Sequence, residues 1–157
     1  MKGGWASDVR DVAAHIMLRT GDLSEEKLHI LLYFCQVWSF QWEQRRFFNA
    51  KIAASSEGPR IEGIDRDVAK RRGRSAKLSA RARAAIDQIL NFYGNKHLDR
   101  LTALALAEQP FRAAWLSKTA GGDGAIDDES IAAFVTARSD GRARTARDQS
   151  SNAILSD

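Results

Sequence analysis

The chain has 157 residues, of which 44% are hydrophobic, enough for one domain whose core needs neither disulfide nor metal. Its single cysteine, Cys35, excludes an internal disulfide and a cysteine-rich zinc module, and a reducing compartment is the simplest reading. The net charge of +4 is mild but unevenly placed. Basic residues cluster at Lys70, Arg71, Arg72, Arg74, Lys77, Arg81 and Arg83, and again at Arg138, Arg142, Arg144 and Arg147, which suits anionic partners or a solvated face. No apolar run reaches the roughly 20 residues that span a bilayer, and the first residues lack the apolar stretch of a secretory signal. The expected setting is cytoplasmic, without a membrane.

In chain order, Ser7 is placed to cap a first helix beginning near Asp8. Val9, Val12, Ala13, Ile16 and Met17 give it one apolar face, and Gly21 ends it. A second helix begins after Ser24, whose hydroxyl can accept an orphan backbone N–H. Glu25 and Glu26 suit the helix dipole there. Leu28, Leu31, Leu32, Cys35, Trp38 and Trp42 form a long stripe, with Arg45 and Arg46 at the far end. This helix is expected to be the central one, with its tryptophans in the core.

From Phe47 to Ile64 the helical period fails. Phe47-Phe48, Lys51-Ile52-Ala53 and Gly58-Pro59 predict extended pieces, a short β-hairpin near residues 47–62. Residues 65–77 are charged and glycine-broken and read as a mobile connection with some helix. A third long helix runs from about Leu78 to Tyr93 and stops at Gly94. A shorter one carries Leu98, Leu101, Leu104 and Ala105. Pro110 breaks it and opens the next, which bears Phe111, Ala114 and Trp115. After the turn Gly121-Gly122-Asp123-Gly124, Asp127 caps a last helix with Ile131, Phe134 and Val135 inward. The expected fold is mainly α: a compact multi-helix domain over 1–138 around a central long helix. Residues 139–157 are too polar for a core and read as a disordered tail.

Reactive residues are present but do not converge. His15, His29 and His97 lack the i, i+4 spacing of a helical zinc site. Cys35 falls within the buried stripe, where cysteine behaves as a small hydrophobe. The glycine run at 121–124 lacks the Gly-Lys-Ser/Thr of a phosphate loop. Asp127, Asp128 and Glu129 do not follow the calcium-loop pattern and are read, with Asp22, Glu25 and Glu26, as cap and dipole residues. No catalytic residue, cofactor or metal is expected.

The segment Leu23 to Trp38 carries a Lys27-Leu28, a Leu31-Leu32-Tyr33 and a Gln36 two residues before Trp38. Phe47-Phe48, Ile52-Ala53 and Glu57-Gly58-Pro59 follow. Then come Tyr93-Gly94, a leucine helix, and Glu108 before Pro110-Phe111, and finally Ala125-Ile126-Asp127 with Ile131 to Phe134. In this order, over residues 8 to 138, the chain resembles the Panacea (SocA-like) antitoxin family. The residues that define the resemblance are Leu28, Leu32, Tyr33, Gln36, Trp38, Gly58 and Pro59. It departs from the family at Arg60, where a valine is usual. It departs again at Ala105-Leu106 in place of Thr-His, and at Phe111 in place of tryptophan.

The resemblance implies an antitoxin from a bacterial, phage or other mobile toxin–antitoxin pair. Such a protein binds its cognate toxin directly, either blocking it or handing it to a Clp-type protease. The basic, irregular stretch is the candidate contact surface, with Arg60, Arg66, Arg71, Arg72 and Arg74, joined by Trp5 and Arg46, since arginine and tryptophan are enriched among interface hot spots. The alternative is a nucleic-acid-binding regulatory protein that uses the basic 66–83 region. No helix-turn-helix or aromatic stacking motif accompanies that stretch.

Overall fold

The protein is seen here in a computed structural model that describes residues 5–6, 8–21 and 23–155, with the backbone alone for Ser75 and for 142 onward. Helix α1 (Val9–Thr20) is capped by Asp8, whose Oδ1 accepts from the Arg10 backbone N–H at 2.8 Å. The cap is thus Asp8 and not Ser7, which lies outside the described residues. Gly21, at φ 82°, ends α1, a conformation in which any Cβ would be strained.

Helix α2 (Glu25–Glu43) is capped by the Ser24 hydroxyl on the Lys27 N–H. Every residue from Leu28 to Val37 is buried, so the expected stripe is in fact a helix enclosed on all sides. Ile30, Tyr33, Phe34 and Val37 fill the faces between the stripe residues. Enclosure ends in the last turn, and Trp42 is 37% exposed there. The expectation of a core Trp42 is corrected: the neighbours that wrap α2 stop short of that turn.

Strands β1 (Ile52–Ser55) and β2 (Gly58–Ile61) form an antiparallel hairpin closed by the pair Ser55↔Gly58. The positive φ of 112° at Gly58 is what that glycine supplies. Residues 124–126 line the other edge of β1, with Ala54 N–H donating to Gly124 O and Ile126 N–H to Ile52 O, both at 2.8 Å. The far edge of β2 faces α2, where two donors would otherwise be buried. Pro59 has none, and the Ile61 N–H donates to Nδ1 of buried His29 at 2.8 Å. A proline inside a strand is tolerated because it sits at this edge position.

Residues 65–77, expected as a mobile connection with some helix, contain a short helix and a 3₁₀ turn. Asp65 caps α3 (Arg66–Arg72) through the Val68 N–H at 2.7 Å, and a 3₁₀ turn follows at Gly73–Ser75. Both pack on α1. Helix α4 (Ala80–Tyr93), capped by Ser79, lies antiparallel to α2: Arg81 pairs with Glu43 at one end, and Tyr93 stacks on Phe34 at 4.2 Å at the other. Helices α5 (Leu98–Leu106) and α6 (Gln109–Thr119) follow, the second opened by Pro110 in its first turn. Asp127 accepts from the Ser130 N–H at 2.8 Å and starts α7 (Asp128–Leu155). The α7 backbone stays helical past Ser139, where a disordered tail was expected.

One side chain joins the helix to the chain that leaves it. Buried Gln36 accepts from the N–H groups of Phe47 and Phe48, at 2.8 and 3.2 Å, and donates to Phe48 O at 3.1 Å. Its amide does for this turn what a neighbouring strand would do. We expect Gln36→Leu, which strands three backbone groups, to cost about 3 kcal/mol or more. Urea unfolding measures this; a loss within about 0.5 kcal/mol would show that the bonds are dispensable.

Candidate functional site

The candidate contact residues do not form one surface. Trp5 packs edge-on against Phe47, donates from Nε1 to Ser39 Oγ at 2.6 Å, and is covered by the Arg81 guanidinium at 4.9 Å from the ring centre. It anchors the chain ahead of α1 to the end of α2. Arg46 is tied to Asp128 at the start of α7 and to Asn49. Arg60 lies between Glu25 at 3.7 Å and Glu57 at 3.9 Å, and the backbone N–H of Arg66 also reaches Glu25.

Within the basic stretch, Arg72 points inward. Its guanidinium meets Asp8 at 3.1 Å and Asp11, which is only 4% exposed, at 3.3 Å. It holds α3 to α1 by neutralising a buried carboxylate, a task no run of basic letters reveals. Arg71 and Arg74 are exposed. The structure thus sorts the arginines into clamps, Arg46 and Arg72, and outward groups, Arg71 and Arg74, with Arg60 half-buried between them.

The residues of the sequence motif gather inside. Leu28 and Leu32 are fully buried. The Tyr33 hydroxyl donates to Glu108 Oε1 at 2.8 Å, and Arg138 stands 3.8 Å from the other carboxylate oxygen. The Arg138 guanidinium also covers the Trp38 ring at 4.8 Å and donates to Gln41 at 2.9 Å. Trp38 Nε1 donates to the Tyr93 hydroxyl at 2.8 Å. Burial pushes the Glu108 carboxyl above its ordinary range, partly offset by the Tyr33 bond and Arg138, and burial and Glu108 together push Tyr33 up. Glu108 and Arg138 are distant in sequence and meet α2 without any spacing that would signal it.

In this cluster each polar group is the partner of another. Burial pushes the Cys35 thiol up to about 12, which leaves no thiolate to attack. Among the described residues no group of three His, Cys, Asp or Glu side chains could hold a metal ion. None of their helices is long and apolar enough to cross a membrane. An opening of about 500 Å³ lies between α2 and α4, lined by Trp38, Trp42, Gln88, Phe92 and Tyr93 among others. No family model, no curated protein and no solved structure matches this chain.

One measurement separates the clamping residues from the exposed ones. Arg72→Ala should destabilise the fold by about 3 kcal/mol, because it leaves buried Asp11 without its cation. Arg71→Ala and Arg74→Ala should stay within about 0.5 kcal/mol of the parent. Equal thermal midpoints for all three would refute the assignment.

His29 makes the stability depend on pH. Burial first, then Arg60, lowers its pKa from 6.5 to about 4, opposed by Glu25. The unfolded chain therefore takes up this proton near pH 6.5 while the folded one resists it until about pH 4. Stability from this residue is full at neutral pH, falls as the pH drops through that window, and levels off below it, a loss of up to about 3 kcal/mol. His29→Asn keeps an acceptor for Ile61 but cannot titrate, so its urea midpoint should fall less between pH 7 and pH 4.5 than the parent's. An identical fall in both proteins would exclude His29 as the source.

Proposed function

We propose that this chain is an antitoxin that neutralises a protein toxin by stoichiometric binding, as the Panacea-like motif implies. The observation that carries the reading is the use made of the motif. Tyr33, Gln36, Trp38, Gly58 and Pro59 are spent on joining α2 to the hairpin, α4 and the α6 start, and Leu28 and Leu32 on the core. A motif that specifies a scaffold and no reactive constellation fits a protein that works through its surface. Of the departures, Leu106 is exposed and Arg60 half-buried, whereas Ala105 and Phe111 are buried in the core.

Binding then acts either by covering the toxin's own site or by presenting the toxin to a Clp-type protease. Both need a rigid body and one complementary face. The nucleic-acid alternative draws on the basic 66–83 region, but Arg72 and Arg81 there are engaged with Asp8, Asp11 and Glu43. That leaves fewer cations for phosphates than the sequence suggests.

The test is first whether a small open reading frame lies next to this gene, and then co-expression of the two. We expect the neighbour alone to arrest growth, this chain to restore it, and the two to co-purify in a fixed ratio. Raising salt from 0.1 to 0.5 M should weaken the complex by less than about tenfold, whereas phosphate binding through several arginines would lose far more. Arrest that persists, with no complex recovered, would end the antitoxin reading.

A further inference from the structure

No Asp or Glu stands between Asp67 and Asp87, while the same interval holds seven Lys and Arg residues. Arg72 and Arg81 are turned to acids of other elements, and Lys70 is engaged as well. Arg71, Arg74 and Lys77 are exposed, and among the described residues none of their side chains has an ion pair. Arg83 is exposed too. Its guanidinium turns back to the Leu78 carbonyl at 3.1 Å, which uses one of its five N–H donors and keeps it near Lys77. Arg71 and Arg74 are three residues apart, as are Arg74 and Lys77, so about 11 Å at most separates the backbone of each pair. The four cations form one patch along the end of α3, the 3₁₀ turn and the link into α4.

The fold itself does not call for this charge. The dipole of α3 favours a cation in its last turn, which accounts for Arg71. Lys77 lies in the link, and Arg83 stands one turn into α4, at the end where the dipole opposes positive charge. The carboxylates nearby are taken: Asp8 and Asp11 by Arg72, Glu43 by Arg81, and Asp87 by His15 and Arg19. The neighbours of the cations say which anion suits them. Gly73, Ala76, Ala80 and Ala84 are small, and the large exposed apolar side chains, such as Leu18, Phe92 and Leu116, all lie outside residues 70–84. A protein contact rests on apolar anchors that lose their water, and a membrane contact on an apolar face. A phosphate backbone asks only for cations that reach it. The interval also holds no aromatic residue, so it offers no platform for unpaired bases and suits a duplex.

We propose that Arg71, Arg74, Lys77 and Arg83 bind the phosphate backbone of a nucleic-acid duplex without reading its sequence. This is a second activity, separate from toxin binding. It uses only the cations that the fold leaves unspent, so it is weak and strongly dependent on salt.

The experiment uses the whole chain and a fluorescein-labelled DNA duplex of about 20 base pairs, titrated by anisotropy from about 50 to 200 mM salt. We expect a plot of log association constant against log salt to have a slope of about −3 to −4, and a duplex of unrelated sequence to bind within about threefold. Arg71→Ala/Arg74→Ala should weaken binding at least about tenfold at the lowest salt and bring the slope closer to zero by about 2. Arg100→Ala/Arg112→Ala removes the same charge from exposed positions on α5 and α6 and should leave affinity and slope as in the parent. Thermal melts of both double variants should match the parent. Lys77→Glu, in the link, makes the same test if Arg71→Ala/Arg74→Ala fails to fold. No binding at the lowest salt would overturn the proposal. Equal losses in the two double variants would overturn it too, because net charge and not the patch would then be responsible. Tighter binding to poly-glutamate, or to vesicles of phosphatidylserine, than to the duplex would assign the patch to an acidic protein face or a membrane instead. None of these results needs a partner protein, so the antitoxin reading stands or falls by its own test.

Discussion

Enclosing α2 on all sides sets the terms for the rest of the molecule. A helix buried from Leu28 to Val37 leaves little solvent for the polar groups it carries, so most are met from within, while Nε2 of His29 has no hydrogen-bond partner among the described residues. Gln36 meets the backbone of Phe47 and Phe48, Tyr33 meets Glu108, and Trp38 meets Tyr93. His29 takes the one donor that the hairpin edge would otherwise bury, at Ile61. These bonds connect α2 to four different parts of the chain. Apolar packing fixes how tightly they close; the polar groups fix which of them lies where, because a wrong register would leave several unpaired.

The same logic explains why a basic stretch need not be a binding stretch. Between Lys70 and Arg83 the letters suggest a uniform positive face. Arg72 and Arg81 instead each answer a carboxylate from another element, Asp11 on α1 and Glu43 on α2. For Arg72 the acid is nearly inaccessible, and an unpaired charge there would be costly. Arg81 has a second use, lying over Trp5 and closing the chain start against α2 and α4. Charge in this region is therefore partly structural.

Much of the fold was legible because caps and periods are local. Ser24, Pro110 and Asp127 mark real helix starts, Gly21 and Gly94 real ends, and the failed period after Phe47 a real hairpin. What escaped was set by tertiary contact. Residues 65–77 look like a linker because α3 has a single buried residue, Ala69; its order comes from α1 through Arg72. Trp42 has the spacing of a core residue, but spacing does not tell how far the neighbouring helices extend. Residues past Ser139 have the composition of a tail, yet the backbone keeps the helical path that α7 begins.

The candidate site was less legible than the fold for the same reason. Hot-spot arguments applied to a sequence pick out arginine and tryptophan by type, and so chose Trp5, Arg46 and Arg72, all of which are engaged in holding the domain together. Type alone cannot separate a side chain that has already found its partner from one that has not. Phe92 passed unnoticed because it lies off the apolar face of α4, next to the buried Tyr93. On an amphipathic helix that position belongs to polar residues. A large aromatic there, facing an exposed tryptophan across a channel, costs solubility and adds nothing to the core.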